Sequence, residues 1–373
     1  MARATSAGTS ASLGVVNVKA QQAGGSHLAA DLHDGASTKK SDHATTCAWR
    51  IKWRYASPII LIHIIAILAL LPWFFSWTGV FLAALGCYVF GAIGMNVGYH
   101  RLLTHRSFAC PKWLERSLAI LGACCLEESP TVWAAWHRLH HHASDKERDP
   151  HSPLASFMWG HVGWLMVKTD NADAGLIKKR YAPDLIDDPF YSWLEAKDNW
   201  IEVGPASWAS FFIAGFVAVV CSGGETPDAI QFGLSLVIWG AAVSTVLVWH
   251  ITWSVNSVTH LWGYRNYETP DNSRNNVLIG LLSGGEGWHN NHHAAPTSAR
   301  HGHYWWELDV AWLTIRALMF LGLATKVCLP SPNLAATYKR TRTRQDKRIQ
   351  ATCRQRPRDV LVAAWADKGA VRS

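Results

Sequence analysis

The chain has 373 residues, of which 49% are hydrophobic and 21 are tryptophan, a composition that favours a membrane protein with an attached catalytic part over two soluble domains. The net charge of +8 comes from residues 331–373, which hold 11 Lys or Arg and 3 Asp or Glu. No nucleic-acid recognition motif accompanies this charge, so we expect no nucleic-acid partner. The basic tail either binds anionic headgroups or an acidic protein, or is a solvated, disordered segment.

The chain begins with a segment rich in Ala, Ser and Gly, residues 1–45, which has no sustained apolar period and no secretory-signal core. We expect this segment to be disordered. Residues 46–330 form the predicted catalytic domain, and residues 331–373 the basic tail.

Four apolar runs approach the ~20 residues that cross a bilayer. They cover residues 57–77, 79–99, 204–222 and 229–253. Basic residues flank the start of the first run and the end of the second, whereas the loops within the two hairpins lack Lys and Arg. The positive-inside rule then places both termini in the cytosol. Residues 111–127 are too short and too charged for a span and predict an interfacial or packing helix; Arg316 and Lys326 favour the same interpretation for residues 311–329.

Two histidine clusters share one spacing. His137, His140 and His141 stand at i, i+3 and i+4, and His289, His292 and His293 repeat the pattern. On a helix three such imidazoles leave from one face, where they are hard to satisfy as ordinary buried side chains. A bound cation resolves this, because neutral imidazole is a common ligand of transition metals.

Two looser pairs follow apolar runs. His100 and His105 stand at i, i+5, which cannot lie on one straight α-helical face, so we expect the helix to end or bend between them. Asn256 and His260 stand at i, i+4. Four clusters with one logic predict a polynuclear metal site on the cytosolic side of the membrane.

The remaining histidines are interpreted more plainly. His63, inside the first run, is expected to face a neighbouring helix rather than lipid, and His250 to have a packing role. His151 and His161 are candidates for orienting ligands by hydrogen bonds. His301 and His303 are predicted to be surface or cap residues.

The segments HRLLTH (100–105), HRLHH (137–141) and HNNHH (289–293) resemble the three histidine boxes of the membrane fatty acyl desaturase family. The resemblance extends to Gly94-Met-Asn-Val-Gly98, Asp149-Pro-His151, Val255-Asn-Ser-Val-Thr-His260 and Gly285-Glu-Gly287, and it covers residues 55–328. The pattern is most similar to bacterial and cyanobacterial delta-9 members.

This resemblance implies an all-α membrane protein, with four transmembrane helices under a cytosolic helical cap that carries a His-rich di-iron site. It implies O2-dependent formation of a cis double bond, typically delta-9, in a saturated acyl chain. Electrons would come from an external carrier, cytochrome b5 or ferredoxin. Asn256 matches a position that reaches one iron through water, and Trp133 and Trp136 are predicted to line the substrate tunnel. The implied iron ligands are His100, His105, His137, His140, His141, His260, His289, His292 and His293.

The carrier of the acyl chain stays open. Animal acyl-CoA desaturases have Arg-Asp before the second box and a basic pair after a Gly-Trp-Leu segment, whereas this chain has Ala135-Trp136 and Lys168-Thr169. The loss of charge weakens binding of CoA phosphates. Acyl-CoA and acyl-lipid substrates both remain possible, and the rival functions are a di-iron hydroxylase or ketolase and a non-catalytic membrane metal-binding protein.

Overall fold

The computed structural model describes residues 50–168 and 174–335, which are mostly helical and contain no strand longer than an isolated bridge. The predicted all-α class is confirmed. Residues 1–45, and all but the first five residues of the basic tail, lie outside the described part. The helices, including short 3₁₀ and π segments, are Trp53–Ile67, Leu68–Leu70, Pro72–Phe74, Trp77–Gly86, Cys87–Thr104, Lys112–Ala123, Pro130–Ala143, Trp159–Gly163, Trp164–Met166, Ala174–Tyr181, Pro183–Ile186, Pro189–Glu195, Ala196–Glu202, Val203–Cys221, Thr226–Leu236, Val237–Val243, Ser244–Leu261, Val277–Leu282, His289–Ala294 and Val310–Phe320.

Four helical segments in the described residues are long and apolar enough to cross a membrane: Trp53–Leu70, Trp77–Thr104, Pro189–Cys221 and Thr226–Leu261. We call them the first to fourth membrane helices. The first begins and ends earlier than the predicted run 57–77, because Leu71 is extended and Pro72 starts a separate 3₁₀ turn. The third is broken near its start, where Lys197 has a φ of 55°.

The second and fourth membrane helices are longer than a bilayer requires. They contain 28 and 36 residues, or at most about 42 and 54 Å at the α-helical rise of 1.5 Å per residue, against a hydrocarbon core of about 30 Å. Their C-terminal turns carry His100 and His260. The long helices therefore extend these histidines past the apolar part of the bundle.

Contacts at the two ends fix the direction of the hairpins. Arg54, at the start of the first membrane helix, pairs with Asp198 near the start of the third, with 2.5 Å between Nη2 and Oδ1. At the opposite end the Trp239 indole donates to the carbonyl of Phe74 over 3.0 Å. The C-terminal ends of the second and fourth helices therefore lie at one end of the bundle, together with the histidines.

Two shorter helices pack beside the bundle, as predicted. Lys112–Ala123 lies against the second membrane helix so closely that a Cβ on Gly94 would stand 2.6 Å from the Gly122 nitrogen. Gly98 makes a similar approach to Leu118. Glycines four residues apart let two helix backbones touch. Val310–Phe320, with 11 residues, is too short for a fifth span.

Candidate metal centre

The second histidine box, residues 137–141, occupies the end of the helix Pro130–Ala143. Its start is fixed by Ser129, whose hydroxyl accepts the Val132 N–H at 3.1 Å, and by Pro130 in the first turn. This places His137, His140 and His141 in the last two turns. The third box lies on the short helix His289–Ala294, which is entirely buried.

His100 and His105 are brought together by a π-helix. The segment Cys87–Thr104 has π-helical geometry, and the His105 N–H donates to the His100 carbonyl over 3.1 Å. An i→i+5 hydrogen bond stacks residue i+5 over residue i, so the two ring centroids are 4.8 Å apart. The helix ends at Thr104, as expected, but both rings share one face because the turn is wider than an α-helical turn.

The nine predicted histidines converge in two adjoining groups, within each of which the candidate ligand atoms lie within 4.8 Å of one another. The second and third boxes contribute to both groups, because neighbouring positions on a helix point to different sides. Both histidines of the first box belong to the same group. The five-histidine group contains His100, His105, His137, His141 and His292. The four-histidine group contains His140, His260, His289 and His293.

The ring nitrogens that face one another need a cation between them. His140 Nδ1 lies 3.0 Å from Asp149, and His293 Nδ1 lies 2.9 Å from Asp271. An ionised carboxylate only accepts, so each neutral ring has its single N–H on Nδ1 and a lone pair on Nε2. The two Nε2 atoms are nevertheless 3.4 Å apart. Two nitrogens bound to one ion at about 2.1 Å and a right angle stand about 3 Å apart, so these residues fit a metal.

The five-histidine group shows the same close approach. The Nε2 atom of His100 lies 2.9 Å from that of His137 and 3.1 Å from that of His292. His141 and His292 are separated by 2.8 Å. His105 Nε2 is buried and makes no hydrogen bond. A buried imidazole nitrogen without a partner is costly unless an ion occupies the space it faces.

Burial keeps four of these imidazoles neutral. Burial first, and then the charge of neighbouring histidines, lowers the pKa of His137 and His141 well below the ordinary value. The same causes, in the same order, lower the pKa of His289 and His292. A neutral imidazole presents a lone pair, which is the form that coordinates a metal.

Four carboxylates contact the Nδ1 atoms of candidate ligands. Besides Asp149 and Asp271, Asp145 lies 3.0 Å from His260 Nδ1 and Glu286 lies 2.7 Å from His100 Nδ1. Burial by itself raises the pKa of Asp271, but the charge and hydrogen bond of His293 lower it overall. Sequence reasoning did not identify Asp145 or Asp271 as partners. Such a carboxylate fixes the tautomer and orientation of the ligand.

His301 was predicted to be a surface or cap residue, and its burial excludes the surface alternative. Its ring centroid lies 4.4 Å from that of His292, and its Nδ1 lies 3.1 Å from Glu286. His303 is also largely enclosed, and its Nδ1 is 2.8 Å from the Tyr267 hydroxyl. Neither residue is therefore exposed at the surface.

A separate chain of histidines follows the outside of the fourth membrane helix. His63 contacts His250 at 3.1 Å, which confirms that it faces a neighbouring helix. His250 Nδ1 lies 3.0 Å from His161 Nε2, and His161 Nδ1 lies 3.0 Å from the Ser257 hydroxyl. His161 therefore orients no candidate ligand, contrary to expectation. His151 Nδ1 lies 3.7 Å from Asp149 but makes no hydrogen bond, so the predicted hydrogen bond to a ligand is not seen at this atom.

A pocket adjoins the five-histidine group through His137. Trp133 and Trp136, the predicted tunnel residues, line it together with His137 and Asn256. Its other walls mix apolar and polar side chains, among them Tyr55, Glu127, Trp164 and Trp253. The pocket therefore lies directly against a candidate metal ligand.

The sequence comparisons agree with this arrangement. The fatty acid desaturase family matches residues 75–322. The chain belongs to the fatty acid desaturase family. It is 38% identical over 290 residues to the sn-2 palmitoyl-lipid 9-desaturase of Nostoc sp. (78% of this chain, 94% of that protein) and 42% identical over 294 residues to the sn-1 stearoyl-lipid 9-desaturase of Synechocystis sp. (79% and 84%). It is 36% identical over 312 residues to an acyl-CoA 5-desaturase of Anemone leveillei (82% and 90%).

Membership defines the class of reaction. The desaturase is an oxidoreductase that desaturates fatty acyl chains, and the resemblance drawn from the histidine boxes is confirmed. The hydroxylase, ketolase and non-catalytic alternatives are less well supported, because the relatives above are all named desaturases. The buried histidine groups and the four apolar helices fit a metal-binding membrane enzyme.

Proposed function

We propose that this desaturase binds two iron ions, one in each histidine group, and forms a cis double bond at the delta-9 position of a saturated acyl chain carried in a lipid ester. The observation that carries the metal assignment is the pair His140 and His293, whose Nε2 lone pairs face each other at 3.4 Å. Nitrogen-rich sites with an accessible side suit iron that activates O2. The bound ions would supply that oxidising chemistry.

The protein's own residues hold and shield the substrate. We propose that the nine histidines are the ligands and that Asn256, one turn before His260 and on the cavity wall, reaches one ion through water. Trp133 and Trp136 would press an acyl chain against His137 within the same cavity. A saturated chain has no polar handle near its centre, so the shape of the cavity must determine which carbons reach the metal.

Two observations favour a lipid ester over a CoA thioester. Ala135 is buried and Trp136 lines the cavity, so the acidic and basic pair of animal acyl-CoA enzymes is replaced by apolar side chains. The two cyanobacterial relatives described above are named lipid desaturases. The acyl-CoA desaturase of Anemone leveillei makes acyl-CoA the second candidate.

The test is expression in a desaturase-deficient host, followed by fatty-acid profiling of membrane lipids and of thioesters. We expect new delta-9 unsaturation in the lipid pool, appearing there before the thioester pool. His140→Ala should abolish it while leaving the protein in the membrane. His142→Ala is the matched control, because His142 is exposed and belongs to neither group. Iron content of the purified protein should be about two per chain, and activity retained by His140→Ala would contradict the ligand assignment.

We further propose that the metal centre and both termini face the cytosol, that residues 46–330 form the catalytic domain, and that a separate cytochrome b5 or ferredoxin reduces the irons. The absence of Lys and Arg from residues 223–228 supports this sidedness. Cysteine labelling at both ends tests the topology. Reconstitution with each purified carrier tests the donor, and a chain without residues 1–45 and 331–373 should keep its activity.

A further inference from the structure

The negative charge behind the two histidine groups is unequal. Three members of the four-histidine group donate Nδ1–H to carboxylates, through the pairs His140–Asp149, His260–Asp145 and His293–Asp271. In the five-histidine group only His100 has such a partner, Glu286. Among the residues that the structure describes, no other carboxylate pairs with a member of either group.

Each of the three aspartates accepts hydrogen bonds from further donors, which for Asp149 are the backbone N–H groups of Asp145 and His151. Asp271 accepts from the Ser273 backbone N–H and from the hydroxyls of Ser273 and Thr269, in addition to His293. Asp145 accepts from both the backbone and side-chain nitrogens of Asn272. A carboxylate surrounded by N–H and O–H donors keeps its negative charge. Three full charges therefore stand behind the four-histidine group.

The single carboxylate behind the five-histidine group is partly neutralised. Arg101 is fully buried and its Nη2 atom lies 3.0 Å from Glu286 and 2.9 Å from Asp309. Together these three side chains carry one net negative charge. The next charged groups, Arg106 and Arg138, share the carboxylate of Asp184 at 2.5 and 2.6 Å. Counting the carboxylates that contact the rings, with Arg101 and Asp309, the difference between the two groups is two elementary charges.

We propose that these carboxylates make the two iron positions unequal: the four-histidine position stabilises Fe(III), and the iron in the five-histidine position is reduced first when electrons arrive. The inference rests on the proposed function, because it assumes two bound irons. Asp145, Asp149 and Asp271 act as positioning residues that also set potential. Each hydrogen-bonded carboxylate raises the basicity of its imidazole, and negative charge near a metal favours the more positive oxidation state.

The electron balance is simple. One electron from an external one-electron donor converts Fe(III) in the five-histidine group to Fe(II), and a second electron does the same in the four-histidine group. No bond between heavy atoms forms or breaks in either step. The half-reduced protein therefore holds Fe(II) and Fe(III) in defined places rather than a mixture.

The experiment is stepwise chemical reduction of the purified, iron-loaded protein with dithionite, followed by Mössbauer spectroscopy and potentiometry. We expect two separate one-electron steps. Asp271→Asn should raise only the lower of the two reduction potentials. The expected change is about tenfold in the reduction equilibrium, which corresponds to about 59 mV for one electron. Only the Mössbauer signal of the iron reduced last should change. Asp145→Asn provides a second variant of the same group should Asp271→Asn fold poorly. Glu286→Gln should raise only the higher potential.

Asp228→Asn is the matched control, because Asp228 is exposed in the first turn of the fourth membrane helix and contacts no candidate ligand. It should leave both potentials unchanged. Simultaneous reduction of both irons, or a shift of the last-reduced iron by Glu286→Gln, would overturn this proposal alone. A folded protein that retains fewer than two irons would overturn the metal assignment and this proposal together, so iron content distinguishes the two failures.

Discussion

His140 and His293 meet at Nε2 although each already gives its only N–H to an aspartate. The contact joins two helices far apart in the chain, Pro130–Ala143 and His289–Ala294. Without a cation the two lone pairs repel, and with one they become ligands. The metal is therefore expected to link these two helices and stabilise the fold, in addition to its role in catalysis.

Removal of the metal should lower thermal stability. At a hundredfold excess over its dissociation constant, an ion that binds only the folded state adds about 2.7 kcal/mol, and chelation removes this contribution. Unfolding in detergent with and without a strong chelator measures the effect. His140→Ala should show a smaller response, because the repulsion is gone and one ligand is missing. Equal unfolding temperatures with and without chelator in the native chain would contradict the proposed role.

Replacement of Arg101 should be severely destabilising. Arg101→Met leaves Glu286 and Asp309 buried without their cation, and breaking a buried ion pair costs about 3–5 kcal/mol. Arg54→Met is the matched control, because that arginine pairs with Asp198 at the surface, where the side chains are 56% and 41% exposed. An exposed pair contributes about 0–1 kcal/mol. Thermal unfolding of both variants should separate them, and similar losses would contradict the buried network.

Gly94→Ala should weaken packing and activity together. The added Cβ would lie 2.6 Å from backbone atoms of Leu121 and Gly122, which cannot move independently of their helix. Overpacking of this kind costs about 1–3 kcal/mol and would displace the turn that carries His100. Ala84→Val is the control, because Ala84 lies on the same membrane helix but is exposed, so the larger side chain should be tolerated. Product yield and unfolding temperature are the measurements, and normal values for Gly94→Ala would refute the close approach.

Glu127 predicts a pH-dependent stability. Burial raises the pKa of Glu127 from its ordinary 4.5 to about 8. Between these values the unfolded chain loses the proton and the folded chain keeps it, so stability falls as pH rises, by at most about 1.4 kcal/mol per pH unit. Glu127→Gln should flatten the curve of unfolding temperature against pH, whereas Glu225→Gln, in an exposed turn, should not. Parallel curves for native protein and Glu127→Gln would exclude this origin.

The helical class and the convergence of histidines were predictable because both depend on local periodicity. Runs of about 20 apolar residues specify helices in a bilayer, and i, i+3, i+4 spacing places imidazoles on one face. The division into two groups was not predictable. It depends on how helices approach one another, so His137 and His140 serve different groups although they lie one turn apart.

The errors have physical causes of the same kind. The i, i+5 spacing of His100 and His105 was judged by α-helical geometry, whereas a π-helix superimposes them. Asp145 is 115 residues from His260, and no local pattern announces such a partner. For His301 the sequence left a surface and a cap position open, because its contact with the buried Glu286 is 15 residues away in the chain and has no local pattern.

The length of the second and fourth membrane helices has a consequence for regulation. A helix longer than the hydrocarbon core adapts to bilayer thickness by tilting. Tilt of either helix moves its C-terminal turn, and those turns carry His100 and His260, one from each histidine group. A change in lipid composition can therefore change the distance between the two histidine groups. Because the enzyme itself alters acyl chains, its products act back on the bilayer that surrounds these helices.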